Sequence, residues 1–288
     1  MPNAKMYWLH TLSPTHVGAG RGVGYIDLPL HRDKVTNWPL IPGSAFKGVW
    51  RDWAEKGDLP NRDVAFGRPS DPEDQKSNAG ALVPTDARLV CLPIRSFYGT
   101  FAWCTSPMAL RMLHRDLTFV GDAGGLNLPG ELPEEHVHVA NESVVQEAGK
   151  VFLEDLDFIA KPCPNANAWA DFLAAKLFAG TWQELFKKRF AVLPDTVFNF
   201  LTETGTQVDA RVKIDDDLKT VVVGALWNEE SLPAETILAG FISCDRVYGV
   251  GDPVALLNQF TASELTLQVG GKATVGRGRV RCIFGGGQ

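Results

Sequence analysis

Asp27 stands in the string GYIDLPLHRD, shortly after four alternating glycines, Gly18, Gly20, Gly22 and Gly24. A loop of that composition exposes backbone N–H groups and lets another backbone approach closely, as contact with a phosphate requires. A carboxylate at its edge can hold a divalent cation or accept a proton, and aspartates beside turns also commonly cap backbone N–H groups. Both readings stay open at this level. Six basic side chains could serve the same polyanion: Arg21 in the glycine loop, Lys47 and Arg51 four residues apart, and Lys272, Arg277 and Arg279 in a second glycine-rich segment. Guanidinium forks and ammonium groups suit phosphate oxygens. Such contacts read a nucleic-acid backbone and not its sequence.

Spacing excludes several other chemistries. Val23 occupies the last glycine position of G-x-G-x-x-G, so a dinucleotide-binding turn is not formed. Gly270-Gly271-Lys272-Ala273-Thr274 looks like part of a nucleoside-triphosphate loop, yet the spacing G-x-x-x-x-G-K-[ST] is not met. Neither G-x-S-x-G nor H-E-x-x-H occurs. His136-Val137-His138 could bind a metal and would suit a metal-dependent metabolic enzyme, but no third ligand stands at a recognisable spacing. His16 and His31 are lone histidines, a type that more often makes a structural hydrogen bond.

The 288 residues are 45% hydrophobic and 22% charged, which excludes disorder and coiled coil. The net charge of −6 disfavours a free nucleic-acid binder, but its distribution is uneven. Residues 1–51 hold six Lys/Arg against two acids and residues 264–288 hold four against one, leaving a strongly acidic middle. Two basic ends could therefore converge on one positive surface. Five cysteines without C-x-x-C argue against a disulfide framework or zinc knuckle, and no basic-then-apolar leader opens MPNAKMYWLH. A reducing, cytoplasmic protein with no membrane partner is expected.

The elements that must position these groups follow from apolar runs, turn signals and periodicity. Met6–Leu12 reads as a strand, and Ser44–Lys56 as a helix with Ser44 as its N-cap and Phe46, Val49, Trp50 and Trp53 on one face. Ala81–Pro93 and Phe97–Trp103 read as strands, Ala168–Phe178 and Trp182–Phe190 as helices. Val208–Val223 reads as a hairpin turning at Asp215-Asp216-Asp217. Arg277, Arg279 and Arg281 alternate, which on a strand puts three guanidiniums on one face. Asn61–Gly80, Gly121–Lys150 and Pro162–Asn167 read as loops. The sum is an α+β sheet with helices on one face.

GYIDLPLHRDKVTNWPLIPGSAFKGVWR resembles the signature of the RAMP superfamily of CRISPR proteins: an aspartate-containing loop, an I-P-G-S segment and a basic helix. GGKATVGRGRV resembles that superfamily's C-terminal glycine-rich loop. ALVPTDARLVCLPIRSFYGTFAWCTSPMALR and GALWNEESLPAET are similar to the backbone subunit of the type III-B effector, the Cmr complex.

The resemblance implies one RAMP domain over residues 1–288, with a modified ferredoxin-like, RNA-recognition-motif core. It implies insertions near 61–80 and 121–165 and a thumb hairpin near 195–223. It further implies copies stacked in a helical filament along a CRISPR guide RNA, each covering about six nucleotides, with other Cmr-type subunits as partners. Paired single-stranded target RNA would be cut beside each flipped nucleotide by a ribose 2′-OH, with Asp27 and a divalent cation, Mg2+ or Mn2+, at the cut. His16 maps near that point, and Glu229 or Glu230 would contribute from a neighbour. Gly18, Gly20, Arg21, Ser44, Lys47, Arg51, Gly271, Lys272, Thr274, Arg277 and Arg279 map to RNA contact. A scaffold that only holds the guide is the alternative, and Asp27 divides the two.

Overall fold

The computed structural model describes residues 3–22, 24–68, 77–215, 217, 219–248 and 251–285. Its core begins with β1 (Ala4–Thr11), whose alternate side chains go to opposite faces: Tyr7 and Leu9 to one cluster, Met6 and Trp8 to another. All four are buried, as expected of a central strand covered on both sides. The amphipathic helix α1 (Gly43–Lys56) buries Phe46, Trp50 and Ala54 on the Tyr7 side. Tyr7 stacks on Phe46 with ring centroids 4.3 Å apart. Then come β2 (Ala87–Arg95), β3 (Ile237–Ser243), α2 (Pro253–Phe260) and β4 (Arg279–Phe284).

These strands lie in the order β4-β1-β3-β2, each antiparallel to its neighbours. With α1 and α2 against the same cluster, this is the β-α-β-β-α-β ferredoxin-like arrangement. The opposite face, carrying Met6 and Trp8, is closed by helices from the chain between β2 and β3, Pro107–Val120 and Pro164–Leu177. Helices thus cover both faces of the sheet, where one was expected: the core pair on one and inserted helices on the other. Past β2 the sheet continues through Phe101–Thr105, Phe190–Val192 and His136–Val139, reaching thirteen strands among the described residues.

Several local expectations change. Ser44 is not the N-cap of α1: Pro42 takes that place, and Gly43 N–H donates to Asp86 Oδ1 at 2.8 Å. The stretch expected as loop at Gly121–Lys150 carries the strand His136–Val139, and Pro162–Asn167 contains the start of the Pro164–Leu177 helix. Asp195–Thr204, in the region assigned to the thumb, is a helix. The hairpin itself pairs Gln207–Ile214 with Val221–Ser231, so its second arm runs eight residues beyond the expected Val223. Asp216 of the expected turn and residues 69–76 of the first insertion lie outside the described residues.

Candidate nucleic-acid interface and cleavage site

Because β4 runs antiparallel beside β1, with Thr11 opposite Val280, the chain leaving β1 and the chain entering β4 emerge at the same end of the sheet. The two glycine-rich segments therefore meet. Leu12 N–H donates to the Arg279 carbonyl at 2.8 Å, Gly278 N–H to the Pro14 carbonyl at 2.9 Å, and Gly271 N–H to the His16 carbonyl at 3.1 Å. Contact is tight enough to specify glycine. Gly270 has φ +78°, and a Cβ there would stand 2.0 Å from the His16 carbonyl oxygen. A Cβ on Gly18 would stand 2.6 Å from His16 Nε2. On the outside of this junction Gly18, Gly20, Arg21, Gly271, Lys272 and Thr274 are all exposed.

The base of the hairpin completes the site. Leu28 N–H donates to the Asn228 carbonyl at 3.1 Å and Glu230 N–H to the Leu28 carbonyl at 3.0 Å, so the loop carrying Asp27 is laced along the second arm. Asp27 is exposed, and its Oδ2 accepts the Asn228 N–H at 2.8 Å. Asn228 Nδ2 donates to the Tyr25 carbonyl at 3.0 Å. One asparagine thus anchors both the carboxylate and the loop behind it.

The neighbours of Asp27 sort by burial. His16 is 9% exposed, and its Nδ1 lies 2.6 Å from the Glu230 carbonyl. A carbonyl can only accept, so Nδ1 is the donor, and Nε2 faces Gly18. Glu230 is a buried framework group: Oε2 accepts Leu30 N–H at 2.9 Å, while Oε1 accepts Arg32 at 2.5 Å and Thr206 Oγ1 at 2.8 Å. Its bonds are spent holding the first loop to the hairpin. Glu229 is fully buried with Lys272 Nζ at 3.6 Å, and that ammonium lies 5.8 Å over the Trp227 ring. Both glutamates are therefore turned away from solvent, whereas Asp27 is exposed.

Of the basic residues, Lys47 and Arg51 are half-buried on α1, and burial pushes the Lys47 ammonium pKa down. The cluster beneath α1 includes Val17 and Val269, which precede the two glycine segments, so α1 and the junction pack on one core. Ser44 is exposed at the start of the helix. Of the three alternating arginines, only Arg279 and Arg281 lie on β4 and share its face. Arg277 precedes β4 and pairs with Asp209 of the hairpin at 2.6 Å, Arg279 is exposed, and Arg281 pairs with Glu264 at 3.1 Å. Turn geometry at Gly276 and Gly278, both at positive φ, takes Arg277 out of the alternation.

Asn228 and Tyr25 escaped the sequence reading. Nothing in LWNEES marks its asparagine, because its partners lie 201 and 203 residues away. As for a metal, among the described residues no three His, Cys, Asp or Glu side chains converge to hold one, His136 and His138 included. Asp27 offers a single carboxylate. That donor set fits an ion of the Mg2+ class, which keeps most of its waters and takes substrate phosphate oxygens.

With this geometry in view, the comparisons with known proteins are coherent. The RAMP superfamily model matches residues 8–281. The chain is 33% identical to the CRISPR system Cmr endoribonuclease Cmr4 of Pyrococcus furiosus, covering 96% of this chain and 94% of that protein. It is 23% identical to the CRISPR system CMR subunit Cmr4 of Saccharolobus solfataricus over the same shares. Among solved structures, oligomeric Cmr4 from Pyrococcus furiosus superposes with a TM-score of 0.77 at 26% identity, covering 98% of each chain. A chain of the type III-B Cmr-beta complex bound to cognate target RNA shares the fold, with a TM-score of 0.74 at 21% identity, covering 98% and 96%. From the docked glycine segments and exposed aspartate to these whole-length matches, the observations agree: the chain belongs to the RAMP superfamily.

Proposed function

We propose that this chain is a guide-RNA-binding filament subunit of a type III-B CRISPR effector and that it cuts the paired target RNA at Asp27. The observation that carries the reading is the junction itself. Two exposed glycine-rich segments, one from each end of the chain, are bonded together with a solvent-facing carboxylate at their rim. Backbone N–H groups with Arg21 and Lys272 suit a ribose-phosphate chain. The relatives described above, an endoribonuclease and an oligomeric Cmr4 of Pyrococcus furiosus, support this reading. The partners are then a CRISPR guide RNA, a single-stranded target, further copies of this chain and other Cmr-type subunits, in the cytoplasm. No helix among the described residues is long and apolar enough to cross a membrane.

At the cut, a ribose 2′-OH attacks the adjacent phosphorus, the bond to the 5′ oxygen breaks with that oxygen taking a proton from water, and a 2′,3′-cyclic phosphate forms. Asp27 is the group positioned to take the 2′-OH proton. One oxygen is oriented by Asn228 N–H, and the other accepts no hydrogen bond among the described residues. A divalent ion, Mg2+ or Mn2+, bound at Asp27 would supply charge neutralisation on the phosphate. His16 and Glu229 are buried in the same junction, His16 against the Glu230 carbonyl and Glu229 against Lys272.

A filament resolves the charge balance. Many weak phosphate contacts along one RNA add up through tethering, so no single copy needs a net positive charge. The test is Asp27→Ala in the reconstituted complex. Periodic target cutting is lost while guide binding persists. Cutting that survives with metal present overturns the catalytic assignment and leaves the guide-holding scaffold. Sequencing the RNA that co-purifies with the chain tests the partner: repeat-derived guides of discrete lengths are expected.

A further inference from the structure

Tyr25 is 77% exposed, at the tip of a loop closed by the Gly22 N–H to Asp27 carbonyl bond of 2.9 Å. A large aromatic ring held in water two residues from a reactive carboxylate is not explained by packing. Nor is it loosely held: Asn228 fastens the Tyr25 carbonyl with its side chain and the Asp27 carboxylate with its backbone N–H. The backbone that carries the ring therefore keeps a fixed distance from the acid. Around the same strand Leu226 is 63% exposed, and Trp227 lies beneath the Lys272 ammonium at 5.8 Å. Apolar faces beside a cation are what a nucleotide's base and phosphate require together.

We infer that Tyr25 is a stacking platform for the target nucleobase beside the scissile phosphate, with Asn228 as the positioning residue that fixes the platform relative to Asp27. The inference rests on the proposed function. A ring stacked on that base holds its ribose still, so the 2′-OH stays in line with the phosphorus. Every base has a π-face, so the platform is tolerant of sequence, as a subunit guided by base pairing requires.

The experiment uses the guide-loaded complex with target RNA carrying 2-aminopurine next to the cut. In the parent and in Tyr25→Phe the fluorescence is quenched by stacking, and cutting rates agree within about twofold. Tyr25→Ala loses the quench and cuts roughly tenfold or more slowly, with guide binding unchanged. Asn228→Ala shows a partial loss of both. Asp27→Ala keeps the quench, which separates the platform from the chemistry: should Asp27→Ala still cut, the proposed function fails and the quench still reports on Tyr25. Equal quenching and cutting in Tyr25→Ala and the parent overturns the inference. So does a guide-binding defect in Tyr25→Ala that Tyr25→Phe restores, because the ring would then serve the guide.

Discussion

Asn228 N–H donates to Asp27 Oδ2 at 2.8 Å, a bond that joins the hairpin arm to the first glycine loop. It orients the carboxylate through backbone, so no side-chain change at Asn228 short of proline removes it. The acid itself can be neutralised without disturbing the fold. Asp27→Asn leaves an oxygen to accept the same bond and changes only an exposed group. Unfolding free energy should stay within about 0.5 kcal/mol of the parent. Target cutting should fall by roughly 10²-fold or more, the size expected for removing a general base. Denaturant melts and single-turnover cleavage measure the two.

The glycine junction is a steric specification. Gly270→Ala forces a Cβ to 2.0 Å from the His16 carbonyl, whereas Gly276→Ala meets nothing within 4 Å although both glycines have positive φ. The first should cost about 3 kcal/mol or more and the second about 1 kcal/mol, the price of the left-handed backbone alone. Urea midpoints on the two variants distinguish contact from conformation.

Glu230 belongs to the framework. Glu230→Ala leaves the buried Leu30 N–H without its acceptor and takes the carboxylate from the Arg32 guanidinium, which keeps only the Asn37 and Thr202 carbonyls. A loss of about 3 to 5 kcal/mol is expected, on the scale of breaking a buried ion pair. Arg32→Ala should lose comparably, and the double variant less than the sum, because the two share one interaction. A thermal-melt double-mutant cycle gives the coupling.

Lys47 and Arg51 test the phosphate-contact surface. Replacing each with alanine should weaken guide binding equally for unrelated guide sequences. Each should lower the slope of log affinity against log salt by about one. Binding titrations at several salt concentrations read both effects.

Burial lowers the His138 pKa, only partly offset by its contact with the Lys161 carbonyl, and His136 adds to the lowering. The unfolded chain therefore takes up this proton at a higher pH than the folded one. The stabilising effect of keeping the ring neutral is present above the unfolded value, about 6.5, and is lost as pH falls from there through the folded value. His138→Gln should flatten the fall in stability between about pH 7 and 5.5. Urea midpoints across that range show it.

β1 was legible because the aromatic and apolar run Met6 to Leu9 leads into the turn at Ser13-Pro14, and α1 because Phe46, Trp50 and Ala54 recur at helical spacing. β3 hid because ILAGFIS is apolar throughout and buried on nearly every position, so no period marks it. Ser106-Pro107 and Asp252-Pro253, caps followed by proline, were signals that the helices at Pro107 and α2 begin there.

For the site, local sequence determined composition: glycines that permit close approach, a carboxylate beside them, and cations at both ends. Which of these meet was decided by the pairing of β1 with β4 and of Leu28 with Glu229, contacts across some two hundred residues or more. The same pairing buried Glu229 and Glu230, tied Arg277 to Asp209, and left Asp27 and Tyr25 facing solvent. Residue type sets what a group can do. Only hydrogen-bonded register across the fold sets what it touches, because that register is fixed by partners no local window contains.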